Sequence, residues 1–455
     1  MKKKIISIVL VGALVASMGA LAGCNNSSES ASESDSGSEE TTASSESNGH
    51  TLTVYAWDPS FNIPALEAAE LDYQTNVDPD FKLNIVEQSG SGDIETLITN
   101  VASTGEKAYD QLPDIVLFQD HYFQQYYKNY PDVWVSLEGA DIDWDNFSQE
   151  KLSYGLVDGV HYGAPVDSGT CIAAYRVDLL GEADYTIDDL TGCSWDEFIE
   201  IGEKVYDATG KYLLCMDGDG NDLPYMMLQA EGVSQFKDGE PYITENQTLI
   251  EVVNLIVEMA QKNVLLLSNS WDDYINTAIQ GDQVSGIING NWIIPTIEAV
   301  PENEGKWEIT SMPTIGGEEG YAANGGCALY ITAGCTDVDL ANDFLAYTFG
   351  GGSYEATGES ITYDGALENG GVVTTYTPAG DSEVYNEGIP YFNDTPIYKQ
   401  ISEMTAKVPI VEQSDAHYSC RTHLAAAIVN IINGADEMEE LEQAEAQLRF
   451  EMGLD

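Results

Sequence analysis

The sequence predicts an α/β protein with two domains, each built on a parallel, doubly wound sheet. Segments of strand and helix character alternate along much of the 455-residue chain, a pattern typical of parallel sheets covered by helices. After a polar N-terminal stretch, roughly 400 residues remain, too many for one typical hydrophobic core. In each half, a short apolar strand is followed by a tryptophan beside a polar residue, at Trp57 and at Trp292.

Strand and helix patterns alternate at the start of the folded region. Residues 51–57 and 81–88 are rich in β-branched and aromatic residues and indicate strands. Residues 112–120 are almost continuously apolar, which indicates a strand buried on both faces. Between these strands, residues 63–76 and 93–103 have helix character, and the second of them has acidic residues in its first turn.

The second half continues the alternation. Ser194 with Glu197 forms a capping-box pattern at the start of one amphipathic helix, and Ser270 with Asp273 caps another. Two further predicted strands lie on either side of Asp167, Ser168 and Gly169, and the first of them ends at Pro165. The remaining predicted elements are the strands at residues 284–290, 307–314 and 321–334 and the helices at residues 339–350, 422–434 and 436–453.

The N-terminus has the pattern of an export signal. Lys2, Lys3 and Lys4 precede a short apolar segment at residues 5–21, which favours a cleaved signal over a membrane-spanning helix. The segment ends in Leu-Ala-Gly-Cys, which resembles the lipobox of bacterial lipoproteins, so Cys24 is predicted to be acylated. The alternative is an ordinary signal peptide with a chance cysteine. Acyl chains on Cys24 would hold the protein at the outer face of the cytoplasmic membrane.

A polar tether follows the predicted acylation site. Residues 25–49 are rich in serine and glutamate and contain no aromatic residue, so they cannot bury enough apolar surface to offset ordering entropy. We expect residues 24–49 to be disordered, with folding from about His50.

The charge of the chain is strongly one-sided. The 17 Lys and Arg residues against 77 Asp and Glu residues give a net charge of −60. This balance disfavours a nucleic-acid partner, and it disfavours an anionic substrate held by the general field of the protein.

The chain has 7 cysteines, and those other than Cys24 are mostly predicted to be small buried apolar side chains, because none forms a Cys-x-x-Cys pair and several lie in apolar runs. Disulfides remain an alternative for an exported chain. Beyond Cys24, the cysteines are Cys171, Cys193, Cys215, Cys327, Cys335 and Cys420.

Polar and aromatic residues follow the three predicted strands of the first half. Trp57 and Asp58 follow the first strand, Ser89 the second, and Gln119 and Asp120 end the third. Ligands of doubly wound sheets bind beyond the carboxyl ends of the strands, so we predict ligand contacts here. The alternative is that each residue caps the next helix, and for Ser89 the two interpretations are balanced.

The second half repeats this arrangement. Asn291 and Trp292 follow the strand at residues 284–290, in the topological position that Trp57 and Asp58 occupy in the first half. A ligand could lie flat on Trp292 while Asn291 bonds its edge. Alternatively, Trp292 begins a helix and packs beneath it, as most tryptophans are largely buried.

Several blocks occur in the order found in sugar-binding lipoproteins of ABC importers, the broad group that includes maltose-binding protein. They are the lipobox, the tether, GVHYGAPV with AYRVDLL, SWDEFIEIGEKV, AIQGDQVSGIINGNW, WEITSMPT and GGCALYIT. The chain thus resembles carbohydrate-binding family 1 of the extracellular solute-binding proteins over nearly all its mature length. The resemblance implies a type II periplasmic-binding-protein fold, with two doubly wound α/β lobes, crossover hinge strands and a ligand cleft between the lobes.

The resemblance also implies domain boundaries and site residues. Residues 1–23 would be the signal peptide, residues 50–164 and 328–372 lobe 1, and residues 165–327 and 373–455 lobe 2. The Gly-Asn-Trp ending in Trp292 matches the family's Gly-x-Trp, whose tryptophan stacks on a sugar ring. The polar cleft residues implied by position are Gln119, Asp120, Asp167, Ser168, Asn324, Gly325 and Gly326.

The implied function is capture of a sugar or oligosaccharide and its delivery to a membrane permease with its ATPase. We expect a monomer without enzymatic activity, cofactor or metal. A different solute, such as a polyamine or peptide, is the main alternative, because Asp58, Asp120 and Asp167 would suit a cation. A glycoside hydrolase with two carboxylates is a further alternative, although the sequence has no nucleophile-elbow, zinc-peptidase or Walker motif.

Two segments have partial metal-site patterns. Residues 217–222 resemble the start of a calcium loop but lack its glycine and its final glutamate, so we expect a solvated turn. His417, Cys420 and His423 give no accepted zinc arrangement, and we expect them on an ordinary helix surface.

Overall fold

The computed structural model describes residues 50–217 and 222–454. The predicted signal peptide and tether of residues 1–49, with the acylation site Cys24, lie outside the described residues. Most of the calcium-like segment at residues 217–222 also lies outside them. The interpretations of these segments therefore stay predictions.

Strands occur throughout the described ranges, most of them short. In chain order they are β1 (Thr51–Ala56), β2 (Lys82–Glu87), β3 (Ile115–Gln119), β4 (Trp134–Val135), β5 (Leu156–Val157), β6 (Val160–His161), β7 (Gly163–Pro165), β8 (Cys171–Arg176), β9 (Leu214–Asp217), β10 (Phe236–Lys237), β11 (Glu240–Pro241), β12 (Leu265–Ser268), β13 (Gly286–Gly290), β14 (Trp307–Thr310) and β15 (Cys327–Thr332).

Helices alternate with these strands and then fill the C-terminal region. They are α1 (Asn62–Asn76), α2 (Ser91–Thr104), α3 (Asp120–Asn129), α4 (Gln149–Tyr154), α5 (Val177–Glu182), α6 (Trp195–Thr209), α7 (Leu223–Ala230), α8 (Gln247–Gln261), α9 (Ile294–Glu298), α10 (Val338–Tyr347), α11 (Gly352–Thr357), α12 (Ile361–Gly370), α13 (Ile397–Thr405), α14 (His417–Ile432) and α15 (Glu437–Glu451).

The first sheet has the strand order β2-β1-β3-β15-β4, and β7 also pairs with β15. β1 runs parallel to β2 and β3, as the alternation of strands and helices predicted. β15 runs antiparallel to β3, β4 and β7. The sheet is therefore mixed, because β15 enters it from the second half of the chain and not through a helical crossover.

The second sheet is built around β8, which lies between β13 and β14 and is antiparallel to both. β9 and β12 form a parallel pair, and a bridge between Tyr212 and Val284 places β9 beside β13. We call the elements packed on the first sheet the first lobe and those packed on the second sheet the second lobe. The exact residues at which one lobe gives way to the other stay a prediction.

Apolar side chains pack on both faces of each sheet. In the first sheet, Leu117 faces one buried cluster and Val116 faces another. In the second sheet, Ile288 faces one buried cluster and Ile287 faces another. The continuous apolar pattern of the third predicted strand is therefore explained, since helices cover both faces of β3.

Crossover segments pass between the lobes side by side. Ser168 N donates to Val373 O at 2.9 Å, and Asn324 N donates to Gly169 O at 2.7 Å. Gly169 has φ +59°, and a Cβ added there would lie 2.9 Å from the backbone nitrogen of Gly326. Glycine is needed at this position because it tolerates both the left-handed backbone and the close approach of the second crossover.

The cysteine prediction is confirmed for the described residues. Cys171, Cys193, Cys215, Cys327 and Cys420 are buried and Cys335 is half-buried, and all six are free thiols. Among residues 50–217 and 222–454, no helix has the length and apolar character needed to cross a membrane.

The C-terminal helix α14 corrects one expectation. His417 is 3% exposed and Cys420 is fully buried, so neither lies on a helix surface as the sequence suggested. α14 packs against both α15 and α3, which covers it from two directions. His423 is nearer the surface and contacts Glu451 at 3.0 Å.

Candidate functional site

A cavity of about 440 Å³ lies between the two lobes. Its walls follow the carboxyl ends of β1, β3, β12 and β13, where ligand sites of doubly wound sheets are expected. Trp57 of the first lobe and Trp292 of the second both line it. The full lining is Trp57, Asp58, Phe61, Asn62, Ser91, Gln119, Tyr122, Asp167, Asp222, Trp271, Trp292, Asn324, Gly325, Gly326, Cys327, Tyr418 and Arg421.

The first-lobe wall is shaped by a sharp turn after β1. Asp58 has φ +63°, and its carbonyl oxygen accepts from the backbone nitrogens of Phe61 and Asn62. Its carboxylate accepts from Ser60 N at 3.0 Å and Ser60 Oγ at 2.8 Å. The turn begins α1 and leaves Trp57 at the edge of the cavity, half-buried against the apolar core.

The second-lobe wall carries two indoles. Trp292 Nε1 donates to Asn324 O at 2.8 Å, which ties this ring to the second crossover. A Cβ at Gly290 would collide with that indole nitrogen and with Asn324 O, so the Gly-Asn-Trp pattern has a steric cause. Trp271, which sequence analysis missed, lies 5.8 Å from Trp292 between ring centroids, with the planes at 46°.

The floor of the cavity is formed by the crossovers. Asp167 Oδ1 accepts from Cys327 N at 2.6 Å and from Cys327 Sγ at 2.9 Å. Asn324, Gly325 and Gly326 line the cavity beside them, as the family resemblance implied. Gly325 and Gly326 have φ +74° and +87°, so the backbone turns here in a region that favours glycine.

A buried ion pair supports this floor from behind. Lys151 Nζ bonds Asp120 Oδ2 and also donates to Cys327 O at 2.8 Å. Both side chains are almost fully buried. Burial lowers the pKa of Lys151, but Asp120 and Asp167 outweigh that effect, so the net shift is upward and the ammonium stays charged.

The side wall brings together residues from both lobes that sequence analysis did not connect. Tyr418 OH donates to Gln119 Oε1 at 3.1 Å, and the rings of Tyr418 and Tyr122 stack at 4.0 Å. Arg421 lies 5.4 Å from the centre of the Tyr418 ring and pairs with Asp222 at 3.1 Å. Burial raises the pKa of Tyr122 to about 12, so its hydroxyl stays protonated at physiological pH.

Four predicted site residues are placed away from the cavity lining. Asp120 is 2% exposed and engaged with Lys151, and Ser89 is exposed outside the cavity while Ser91 lines it. The other two, Ser168 and Asn291, are buried and bonded to each other at 3.3 Å. The predicted residues that do line the cavity are Trp57, Asp58, Gln119, Asp167, Trp292, Asn324, Gly325 and Gly326.

The lining residues that the sequence analysis missed differ in how clearly the sequence indicates them. Trp271 directly follows the helix cap Ser270, where a large exposed indole is costly, and this signal could have identified it. The other missed residues lie on α3 and α14, and the packing between the lobes determines which side of each helix meets the cavity. No local sequence pattern therefore identifies Tyr122, Tyr418 or Arg421.

The cavity presents chemistry suited to a polar, uncharged ligand. Three indoles, two phenol rings and amide groups surround it. Its carboxylates are engaged, with Asp58 on Ser60, Asp167 on Cys327 and Asp222 on Arg421. Within the described ranges, no group of three His, Cys, Asp or Glu residues could hold a metal ion.

Comparisons with known proteins agree on one family. The family profile described as "Bacterial extracellular solute-binding protein" matches residues 60–350. A lactose-binding protein of Rhizobium radiobacter is 29% identical over 399 residues, which cover 87% of this chain and 92% of that protein. An arabinooligosaccharide-binding protein of Bacillus subtilis is 24% identical over 231 residues, about half of each chain (47% and 53%).

A solved structure shows the same fold. The galacto-N-biose/lacto-N-biose I-binding protein of the ABC transporter from Bifidobacterium longum, in complex with lacto-N-biose, superposes with a TM-score of 0.70 at 16% identity. The match covers 89% of this chain and 98% of that chain. The expected type II periplasmic-binding-protein fold is thus confirmed, with two α/β lobes joined by crossover strands around a cleft. The chain belongs to the bacterial extracellular solute-binding protein family.

Proposed function

We propose that the chain is the sugar-binding component of an ABC importer and captures a neutral sugar or oligosaccharide in the cavity between its lobes. The observation that carries this proposal is that Trp57 and Trp292, from opposite lobes, line one cavity together with amide and hydroxyl groups. A saccharide has apolar C–H faces and hydroxyl edges, which these two kinds of group match.

The energetics are adequate for transport. Micromolar affinity corresponds to about −8 kcal/mol. Five or six neutral hydrogen bonds at roughly 0.5–1.5 kcal/mol each, with one ring face buried on an indole, reach that value before ordering costs are counted. Gln119, Asn62 and Asn324 line the cavity and supply such polar groups.

A neutral ligand is favoured over a cation such as a polyamine. Asp120 is buried behind the floor, and the three carboxylates at the cavity each have a partner, so an incoming cation would have to compete with them. Arg421 adds a positive charge to the lining. The partners of Asp58 and Asp167 are neutral groups, so a polycation would be opposed by Arg421 and by the hydrogen bonds that it would have to displace.

Relatives support both the ligand class and the transport role. The lactose-binding, arabinooligosaccharide-binding and lacto-N-biose-binding proteins are all named for saccharides. In this proposal the protein is exported, anchored through acylated Cys24, monomeric, and closes its lobes on the ligand before delivering it to the permease. It makes and breaks no covalent bond in the sugar.

The proposal is tested by calorimetry of residues 50–455 against a fixed panel. The panel holds lactose, maltose and arabinobiose, their constituent monosaccharides galactose, glucose and arabinose, and the polyamine spermidine. Binding of at least one sugar with micromolar or tighter affinity, without spermidine binding, supports the proposal. Binding of spermidine alone would overturn it in favour of the cationic alternative.

A further inference from the structure

We propose that Trp271 and Trp292 form a two-ring platform, so that the cavity selects ligands with two linked sugar rings over single ones. This inference rests on the proposed sugar-binding function and assigns Trp271 the second ring. Trp292 would receive the first ring in the interior, and Trp271 the next one towards the cavity mouth.

The geometry of the two indoles carries the inference. Their centroids are 5.8 Å apart and their planes are tilted by 46°, so they form a bent surface and not one flat plate. That separation is close to the distance between neighbouring rings of a glycosidic chain, whose planes are also tilted relative to each other. Both indoles line the same cavity, so one ligand can reach both.

The two rings differ in depth. Trp292 packs against the apolar cores of both lobes, and its Nε1 is bonded to Asn324 O. Trp271 is 43% exposed, although it is among the largest apolar side chains. Exposure of an indole forgoes the stabilisation that burial would give, and a ligand ring laid on it would recover that stabilisation.

Trp271 is also held in place. One side of its ring stacks on Tyr274 at 5.2 Å and 18°, and Tyr274 OH accepts from Asn289 Nδ2 at 3.1 Å. The chain then forms a π-helix at Asp273–Ile279, a rare geometry that is frequent at functional sites. Tyr274 therefore supports Trp271 as a fixed plate, which reduces the ordering cost of stacking.

Trp271→Ala is the direct test, measured by calorimetry against the panel disaccharides and their constituent monosaccharides. We expect the wild type to bind its best disaccharide at least about tenfold more tightly than either constituent monosaccharide. Trp271→Ala should weaken disaccharide binding about tenfold and leave monosaccharide binding within about twofold, because only the second ring loses its plate. Trp271→Phe should restore part of the preference.

Trp144→Ala is the matched control. Trp144 is a half-buried tryptophan stacked on His161 at 4.0 Å, and it lies outside the cavity lining. This variant should keep the preference for two rings. Equal weakening of both sugar classes by Trp271→Ala, or no change in either, would overturn the platform while leaving sugar binding intact. If the wild type bound none of the panel sugars, that result would instead overturn the proposed function itself.

Discussion

His121 of the first lobe and His417 of the second stack face to face, with ring centroids 4.0 Å apart and planes 5° from parallel. Tyr154 and Tyr225 stand almost perpendicular to the His121 ring, with ring centroids 4.8 and 5.3 Å from its centroid. Within the described residues, neither nitrogen of His121 has a hydrogen-bond partner. Each histidine directly precedes a tyrosine of the cavity wall, Tyr122 on α3 and Tyr418 on α14, so the pair joins the lobes just behind that wall.

Acid is expected to weaken this contact. Burial and, to a smaller extent, the nearby Arg421 lower the pKa of His417 to about 3. Burial also lowers the pKa of His121 well below its usual value, and the neighbouring His417 and Arg421 contribute to that shift. Imidazoles of the unfolded chain titrate near 6.5, so below that pH the unfolded state binds more protons than the fold. The stabilisation from the neutral pair is complete above about pH 6.5 and is lost as the pH falls towards the folded-state pKa values.

The expected result is a melting temperature that falls steeply between about pH 7 and about pH 5, measured by thermal unfolding in matched ionic strength. His417→Phe keeps a stacked ring without a titrating nitrogen, so its decline should be shallower. His423→Phe, on the same helix but with its partner Glu451 near the surface, should decline like the wild type. Identical profiles for all three proteins would contradict the prediction.

Trp292→Ala should weaken sugar binding at least about tenfold without unfolding the protein, because the ligand loses a stacking face while most of the indole's neighbours remain packed. Calorimetry gives the affinity, and circular dichroism gives the fold. Trp292→Phe should lose less, since a ring remains. Unchanged affinity in Trp292→Ala would remove this indole from the site.

Asp120→Ala is expected to act first on stability. Removing Asp120 leaves Lys151 charged and buried, a change that costs about 3–5 kcal/mol in comparable pairs. Urea unfolding should show this loss, and binding should weaken because Lys151 also holds the carbonyl of Cys327 in the floor. The double variant Asp120→Leu with Lys151→Met removes both charges and should recover much of the stability. An Asp120→Ala protein of full stability that no longer binds sugar would show direct ligand contact instead.

Gly326→Ala should lower the free energy of unfolding by more than the cost of its left-handed backbone conformation alone. An added Cβ would lie 2.5 Å from Asp120 Oδ2, and φ is +87°. Gly358 has a similar φ of +77°, but there an added Cβ meets nothing within 4 Å among the described residues. Gly358→Ala should therefore cost only about 1–2 kcal/mol in urea unfolding, the ordinary cost of left-handed backbone. Equal losses in the two variants would argue against the steric clash.

The sequence predicted those parts of the site that depend on local pattern. β1, β3 and β13 were visible as apolar runs, and the residues after them, Trp57 and Trp292, do line the cavity. Asp120 was placed at the correct strand end, but its side chain turns inward to Lys151, a partner 31 residues away that no local rule identifies. Ser168 and Asn291 likewise bond each other across the fold.

Residues whose role depends on packing between lobes were not predictable. His417 lies on a mainly apolar helix with two covered sides, so periodicity did not show which face α3 would meet. The hydrogen bond from Tyr418 to Gln119 forms only because α14 packs against α3. A single sequence carries no signal for such pairings, since neither residue is unusual in its own segment.

The bond from Trp292 Nε1 to the carbonyl of Asn324 occupies the only polar atom of that side chain. The ring can therefore meet a pyranose through its π-face alone and has no donor to offer an axial or equatorial hydroxyl. Epimers with equally flat apolar faces would rest on it equally well. The choice between epimers must then be made by the amide and phenol groups of the cavity lining, because their hydrogen bonds are directional.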